Sequence, residues 1–342
     1  MTVGAKLAVL LAGIAVASGG QSPELSRYAA DLRAADTLLS QGDFRGVIER
    51  LEPWPERLPH RPEANHFLGL AHYRLREFDQ SIRHLSAALD TEREDSEPWK
   101  QTVEVLGVAY YFEGRWQEAR PLLEKASAWK AADPDFLYAL ARTQVLTGGG
   151  GSARIPVAGI FGVDPASPPA LVLTARLALL ENGLRDAETL LLKALEARPD
   201  LPGANYLLGG IALREGNHSK ALAFLRKELE NDPGHAEAWH SAGETLLAQG
   251  REAESVEALK RAIWLGSKSP DPYILLAKVH IERRELDLAE DAVRQVLQAH
   301  PRNYEAHFLH SRILYKMGRR KRARMQLEIA EQVRRAGLPS RP

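Results

Sequence analysis

The chain has 342 residues, of which 44% are hydrophobic and 26% are charged, and this composition is typical of a folded protein rather than a disordered one. The 45 Lys and Arg residues balance the 45 Asp and Glu residues, so the net charge does not favour nucleic acid or an anionic membrane as a partner. The chain has no cysteine, which excludes disulfides, thiolate metal sites and cysteine nucleophiles.

The first residues carry the pattern of an export signal. Lys6 precedes an apolar run from Leu7 to Ala17, which ends in the small-x-small cleavage pattern of Ala15-Val16-Ala17. This run is shorter than the roughly 20 residues that span a bilayer. We therefore expect residues 1–17 to be a cleaved signal peptide, residues 18–27 to be a short linker, and the protein to be periplasmic or secreted. The alternative is an uncleaved N-terminal segment that anchors the protein to the membrane.

A period of 34 residues organises the rest of the chain, and one four-residue insertion near Glu92–Ser96 interrupts it. The period predicts nine repeats, at residues 28–61, 62–95, 100–133, 134–167, 168–201, 202–235, 236–269, 270–303 and 304–337. The eighth position of each repeat is small: Ala35, Gly69, Gly107, Ala141, Ala175, Gly209, Gly243, Ala277 and Ser311. The twenty-fourth position is aliphatic: Leu51, Leu85, Leu123, Val157, Leu191, Leu225, Leu259, Val293 and Leu327.

Each repeat reads as a pair of helices. Small residues at positions 8 and 20 allow the two helices to approach closely, and the aliphatic residue at position 24 fills the seam between them. The turn between the helices carries a glycine near position 15 in several repeats: Gly42, Gly114, Gly216, Gly250 and Gly318. A single pair cannot bury its own apolar face, so the repeats must stack into an all-α solenoid.

This pattern resembles the tetratricopeptide repeat (TPR) over residues 28–337. The resemblance implies a right-handed superhelix, and segments such as FLRKELENDP and NYEAHFLH look like a group of exported bacterial TPR proteins. Three residues depart from the small residue expected at position 27, namely Trp54, Ile160 and Glu228, and we expect less regular packing in those repeats. Residues 338–342 form a short C-terminal tail.

The fourth repeat, residues 134–167, is degenerate. Gly148–Gly151 fall at its inter-helix turn, and Pro156, Gly159 and Gly162 lie in its second helix, which we expect to be short and poorly formed. The same glycines formally fit a dinucleotide fingerprint, but that motif requires a preceding strand, and here the register predicts a helix.

No catalytic motif is present, and we expect neither enzyme activity nor a cofactor. His307 and His310 are spaced as helical metal ligands, but their register positions face the packing seam, so we expect packed histidines and no metal site.

The function we expect is a non-catalytic scaffold or adaptor that holds a protein or peptide segment. In TPR proteins the first helices line a concave groove, chiefly through positions 2, 5, 9, 12 and 13. Carried onto this chain, the resemblance implies these groove residues: Tyr138, Arg142, Arg176, Tyr206, His240, Lys278, Phe308 and Arg312.

The densest charge forms a basic cap on the last repeat: Arg319, Arg320, Lys321, Arg322 and Arg324. It is expected to keep the end of the solenoid hydrated. The competing hypothesis is a self-assembling component of the cell envelope that uses this cap, and contact with anionic lipid is a further alternative. A nucleic-acid partner is not expected, because no aromatic residues are interleaved with the cations.

Overall fold

The computed structural model describes residues 22–267 and 269–337, and its regular secondary structure within these ranges is entirely α-helical. Eighteen helices of this described part have eight or more residues, and a single helical turn, Trp54–Arg57, follows the second of them. The helices of the first five repeats are α1 Pro23–Gln41, α2 Phe44–Leu51, α3 Pro62–Arg74, α4 Phe78–Leu89, α5 Glu97–Phe112, α6 Trp116–Lys130, α7 Pro134–Leu146, α8 Arg154–Phe161, α9 Pro168–Leu180 and α10 Leu184–Ala197. Those of the last four are α11 Ala204–Arg214, α12 His218–Asn231, α13 Ala236–Ala248, α14 Glu252–Trp264, α15 Asp271–Glu282, α16 Leu286–Ala299, α17 Tyr304–Lys316 and α18 Arg320–Gly337.

The two ends of the chain bear on the expectations above. The expected signal peptide, residues 1–17, and the expected tail, residues 338–342, lie outside the described residues. The expected linker, residues 18–27, is helical from Pro23 onward. The reason is local: Ser22 accepts a hydrogen bond from the Leu25 N–H at 3.3 Å, and the proline occupies the first turn, where no N–H is needed.

The chain divides into two compact units, and the boundary between Leu190 and Leu191 falls inside α10. In the N-terminal unit, consecutive helices from α1 to α9 pack against each other in chain order. In the C-terminal unit, α11 to α18 do the same. Each unit therefore has the sequential helix packing that the 34-residue period predicts.

All nine turns between paired helices place a residue in the left-handed region at position 15, with φ between 59° and 82°. Six of these residues are glycine, including Gly148 of the degenerate repeat. At Gly250, for example, the N–H donates to the Leu247 carbonyl, and the next N–H, of Arg251, donates to the Leu246 carbonyl, both at 2.9 Å. This pattern ends the first helix with its last carbonyls satisfied.

Three turns use a residue other than glycine: Arg76, Asn182 and Arg284. In both arginine turns, the histidine at position 11 bonds the glutamate at position 16: His72 Nδ1 lies 2.7 Å from Glu77 Oε2, and His280 Nδ1 lies 2.5 Å from Glu285 Oε2. A left-handed backbone is less favourable for arginine than for glycine, because arginine has a Cβ. The two histidine–glutamate contacts each bridge one of these less favourable turns.

The predicted seam is present at position 8. A Cβ built on Gly69 would collide with the Leu85 side chain, and one built on Gly243 would lie 2.7 Å from Leu259 Cγ. Ser255, at position 20, is fully buried and donates its hydroxyl to the Gly243 carbonyl at 2.7 Å. In these two repeats a methyl group at position 8 would therefore force the leucine at position 24 to move.

The fourth repeat differs from the expectation of a poorly formed second helix. Helix α8 is short, with eight residues, but it begins at Arg154 and ends at Gly162, whose φ is 63°. Pro156 consequently lies in the first helical turn, where the missing N–H costs little, and Gly162 terminates the helix rather than weakening its interior. The segment before the glycines is helix α7, which excludes the dinucleotide fingerprint.

Two of the three departures at position 27 also pack well, contrary to the expectation. Trp54 is 3% exposed and donates its indole N–H to Asp31 at 3.1 Å. Glu228 is completely buried, and it accepts hydrogen bonds from the N–H groups of Gly203 and Tyr206 at 2.7 and 3.2 Å. The Glu228 carboxylate thus caps the N-terminus of α11, which has no cap of its own.

Candidate functional site

The three predicted groove residues of the N-terminal unit have different surroundings. Tyr138 on α7 is 45% exposed, and Arg176 on α9 is exposed. Arg142 is engaged within the fold, since it bonds Glu181 at 2.5 Å and the Tyr111 hydroxyl at 3.2 Å. These hydrogen bonds raise the pKa of Arg142, so its charge is permanent but already paired.

All five predicted groove residues of the C-terminal unit present some surface. Lys278 on α15 reaches Glu305 on α17 at 2.7 Å, and Phe308 stacks on Tyr304 with ring centroids 6.1 Å apart. Arg312 is exposed one turn after Phe308, and His240 on α13 is half-buried. Lys278 and Phe308 therefore belong to one surface, which the adjacent first helices α15 and α17 form.

Tyr206 belongs to the packing of the C-terminal unit more than to its surface. Its ring lies 4.8 Å from that of His235 and contacts the apolar cluster that contains Leu222 and Leu225. The sequence register could not distinguish this half-buried tyrosine from the exposed Tyr138, because both occupy position 5.

A large cleft of the N-terminal unit, about 990 Å³ in volume, lies between the first helices α1, α3 and α5. Its apolar lining includes Leu39, Phe67, Leu70, Tyr73 and Trp129. Its charged lining includes Asp36, Arg74, Glu97, Lys100, Glu104 and Lys130. Apolar and aromatic walls with charges of both signs suit a peptide segment better than a uniformly charged ligand.

Neighbouring groups and burial affect several polar side chains of the cleft. Lys130 Nζ lies 2.9 Å from Glu104 Oε1, and burial raises the pKa of the Asp36 carboxyl. The indole N–H of Trp129 is buried without an acceptor among the described residues, and the Lys100 ammonium lies 5.8 Å from the centre of the same indole. The cleft therefore has two cations, Lys100 and Lys130, beside Trp129.

The four-residue insertion contributes to the lining of the cleft. Helix α5 starts three residues before the third repeat and adds Glu97 to the lining. Glu92, near the insertion, has a 3% exposed side chain with Oε1 3.0 Å from His66 Nδ1. His66 also lines the cleft and bonds the Thr102 hydroxyl at 2.8 Å. The insertion was the sequence signal for this cleft, whereas the groove positions alone did not single it out.

The basic cap is partly committed to the fold. Arg319 Nη1 lies 2.8 Å from Oε2 of Glu290, a buried carboxylate that Arg294 also contacts at 2.6 Å. The other four cations of the cap are exposed on α18. His310 contacts Glu290 at 3.4 Å, and both ring nitrogens of His307 lie within 3 Å of protein oxygens, from Gln326 and Pro301. These two histidines are therefore packed, as expected.

The repeats match known models over the second half of the chain. One model described as a tetratricopeptide repeat matches residues 172–236 and 274–337, and a second with the same description matches residues 212–279. The chain is a tetratricopeptide repeat protein. TPR domains bind protein partners, and this TPR protein is accordingly a protein-interaction scaffold. No curated protein matches it.

Two solved structures are similar to parts of this TPR protein. The MamA RS-1 ArsTM double mutant has 16% identity and a TM-score of 0.46, covering 49% of this chain and 95% of its own. The Pseudomonas aeruginosa pilF structure has 16% identity and a TM-score of 0.42, covering 60% of this chain and 94% of its own. None of the helices in residues 22–267 and 269–337 is both long and apolar enough to cross a membrane.

Proposed function

We propose that this TPR protein is a non-catalytic adaptor that holds an extended or helical protein segment in the cleft between α1, α3 and α5. The observation that supports this most is the combination, in one cleft, of apolar and aromatic walls with charges of both signs. Backbone carbonyls and mixed side chains of a peptide complement such a surface.

The exposed predicted residues extend this proposal beyond the cleft. Tyr138 and Arg176 lie on α7 and α9 of the same N-terminal unit. In the C-terminal unit, Phe308, Lys278 and Arg312 offer a second aromatic and cationic surface. Arg142 acts in this proposal through Tyr111 and Glu181, which it positions, rather than by contacting the ligand.

We also propose that the adaptor works outside the cytoplasm, because Lys6, the apolar run and Ala15-Val16-Ala17 form an export pattern. Mass spectrometry of the protein purified from its host tests this directly. A mature chain that begins at Ser18 supports export with cleavage, whereas a chain that retains Lys6 contradicts cleavage and leaves the membrane-anchored alternative.

Selection from a displayed library of random linear peptides tests the cleft. We expect the selected peptides to bind the wild-type protein, and both Tyr73→Ala and Lys100→Glu to weaken that binding by at least about tenfold, the loss of one buried contact of roughly 1.4 kcal/mol. Tyr315→Ala is the matched control, because Tyr315 occupies the same register position as Tyr73 but lies on α17. Equal affinities of all four proteins, each shown to be helical by circular dichroism, would exclude the cleft.

A further inference from the structure

A second cleft, of about 870 Å³, lies in the C-terminal unit. Its walls are the second helices α12 and α14, and α13 also contributes to its lining. The apolar lining includes Leu222, Leu229, Trp239, Leu246 and Ala258. Apolar walls of this kind suit a hydrophobic or aromatic side chain of a partner.

Beyond the rim of this cleft, α14 ends in an exposed tryptophan. Trp264 is 72% exposed, and the Arg261 guanidinium lies 4.3 Å from the centre of its ring. Arg261 itself lines the cleft. Because Arg261 and Trp264 are three residues apart on a helix, they lie on the same side of α14, and the cation holds the indole in place.

The exposed face of α14 is also segregated by charge. Its N-terminal half carries Glu254 and Glu257, and its C-terminal half carries Lys260 and Arg261, so the helix is acidic at one end and basic at the other. The side chains of Glu257 and Lys260 are 76% and 58% exposed. Two such helices complement each other only when they run antiparallel, which is the arrangement that a two-fold axis perpendicular to the helices produces.

We propose that the occupant of this cleft is a second copy of the chain, docked through antiparallel α14 helices. When the two helices meet at the level of Leu259 along the helix axis, residues at equal distances from that level face each other. Arg261 then faces Glu257 of the second copy. Trp264 then lies over Glu254 and Ala253 of the second copy, at the end of the cleft beside Leu222 and Leu246. Each copy inserts its Trp264 into the cleft of the other. Because both clefts are then filled, the assembly stops at a dimer.

The small side chains of α14 allow this approach. Ala253 and Ala258 face the cleft, and neither holds the partner helix away. Glu254 already accepts a hydrogen bond from Arg251 at 2.6 Å. It can therefore lie beside Trp264 of the second copy without needing a new partner. Glu257, by contrast, has only the exposed Lys260 at 3.3 Å among its described contacts, and it is available to Arg261 of the second copy.

Sedimentation equilibrium of the purified protein tests this proposal. We expect a concentration-dependent dimer, and we expect Trp264→Ala to raise its dissociation constant at least about tenfold, as removal of a central aromatic anchor does. Tyr315→Ala removes an aromatic side chain that is 65% exposed on α17 and should leave the dissociation constant unchanged. A wild type that remains monomeric at every concentration overturns the proposal, as does a Trp264→Ala variant that associates like the wild type.

A charge exchange tests the antiparallel register. Arg261→Glu alone and Glu257→Arg alone each place like charges opposite one another, and we expect both variants to be monomeric and folded. An equimolar mixture of the two should form a mixed dimer, because the two acidic side chains of the first variant then face the two basic side chains of the second. Rescue by mixing cannot arise from contacts within one chain, so a mixture that stays monomeric overturns the register. These variants leave the α1–α3–α5 cleft untouched, so this test and the peptide test fail independently.

Discussion

Two adjacent glycines on α11, Gly209 and Gly210, meet different surroundings. A Cβ on Gly209 would lie 2.9 Å from Leu225 Cγ, whereas a Cβ on Gly210 would meet no atom within 4 Å. We expect Gly209→Ala to destabilise the protein by about 1–3 kcal/mol through overpacking. We expect Gly210→Ala to stabilise it by about 0.5–1 kcal/mol, because alanine loses less backbone entropy in a helix.

Urea unfolding of the two variants beside the wild type measures this difference. The helix propensity gained is the same at both positions, so the comparison isolates the contact with Leu225. Equal shifts of the two midpoints would mean that the seam accommodates a methyl group at position 8.

At the scale of the element, Glu228 and His235 connect helices of two repeats. The hydrogen bond between them raises the pKa of His235, while burial raises the pKa of Glu228 and its hydrogen bonds lower that pKa by more. The carboxylate contributes stability above its unfolded pKa of roughly 4.3, and this is lost as the pH falls through the lower folded pKa. The histidine contributes stability below its unfolded pKa of roughly 6.5, and this is lost as the pH rises through the higher folded pKa.

We therefore expect the stability from this pair to be complete between roughly pH 4.3 and pH 6.5 and to decline above it. Thermal unfolding as a function of pH measures this. Above pH 6.5, we expect the melting temperature of the wild type to fall more steeply than that of His235→Gln, which lacks the histidine. His60→Gln, at an exposed histidine of the N-terminal unit, should keep the wild-type profile. A wild-type midpoint that rises relative to His235→Gln above pH 6.5 would contradict the assigned direction.

The sequence predicted the helix pairs because position 8, position 24 and the turn are local and periodic. It did not predict the role of Glu228, since a glutamate at a small-residue position has no local signature, and its two N–H partners lie more than 20 residues earlier in the chain. The same holds for the clefts. Register identified which positions line the first helices, but it did not indicate Glu97, which the extended start of α5 adds to the lining.

At the scale of the whole molecule, the place of a repeat in the array decides how deeply the residue at a given repeat position is buried. The residue at position 24 is at most 3% exposed in the first eight repeats, whereas Leu327 of the ninth is 41% exposed. The helix that carries it, α18, has Arg324 and Glu331 at positions that hold Leu222 and Leu229 in the sixth repeat. These charges are those of an end that faces water.

We expect Leu259→Ala to destabilise the protein by about 2–5 kcal/mol, because the leucine is fully buried and leaves a cavity. Leu327→Ala should cost about 1 kcal/mol or less, since that side chain is already 41% exposed. Chemical denaturation of both variants gives the comparison. A loss at Leu327 as large as that at Leu259 would mean that a further element covers the end of the array.

The insertion before α5 has a consequence for how a linear ligand finds its place. A wall built from identical repeats offers the same chemistry every 34 residues, so a bound chain can shift by one repeat with little change in free energy. Glu97, in the extra turn of α5, and Trp129 both line the cleft, and the adjacent repeats carry different residues at the corresponding positions. For the bound segment that we propose, this difference favours one register over those shifted by a repeat.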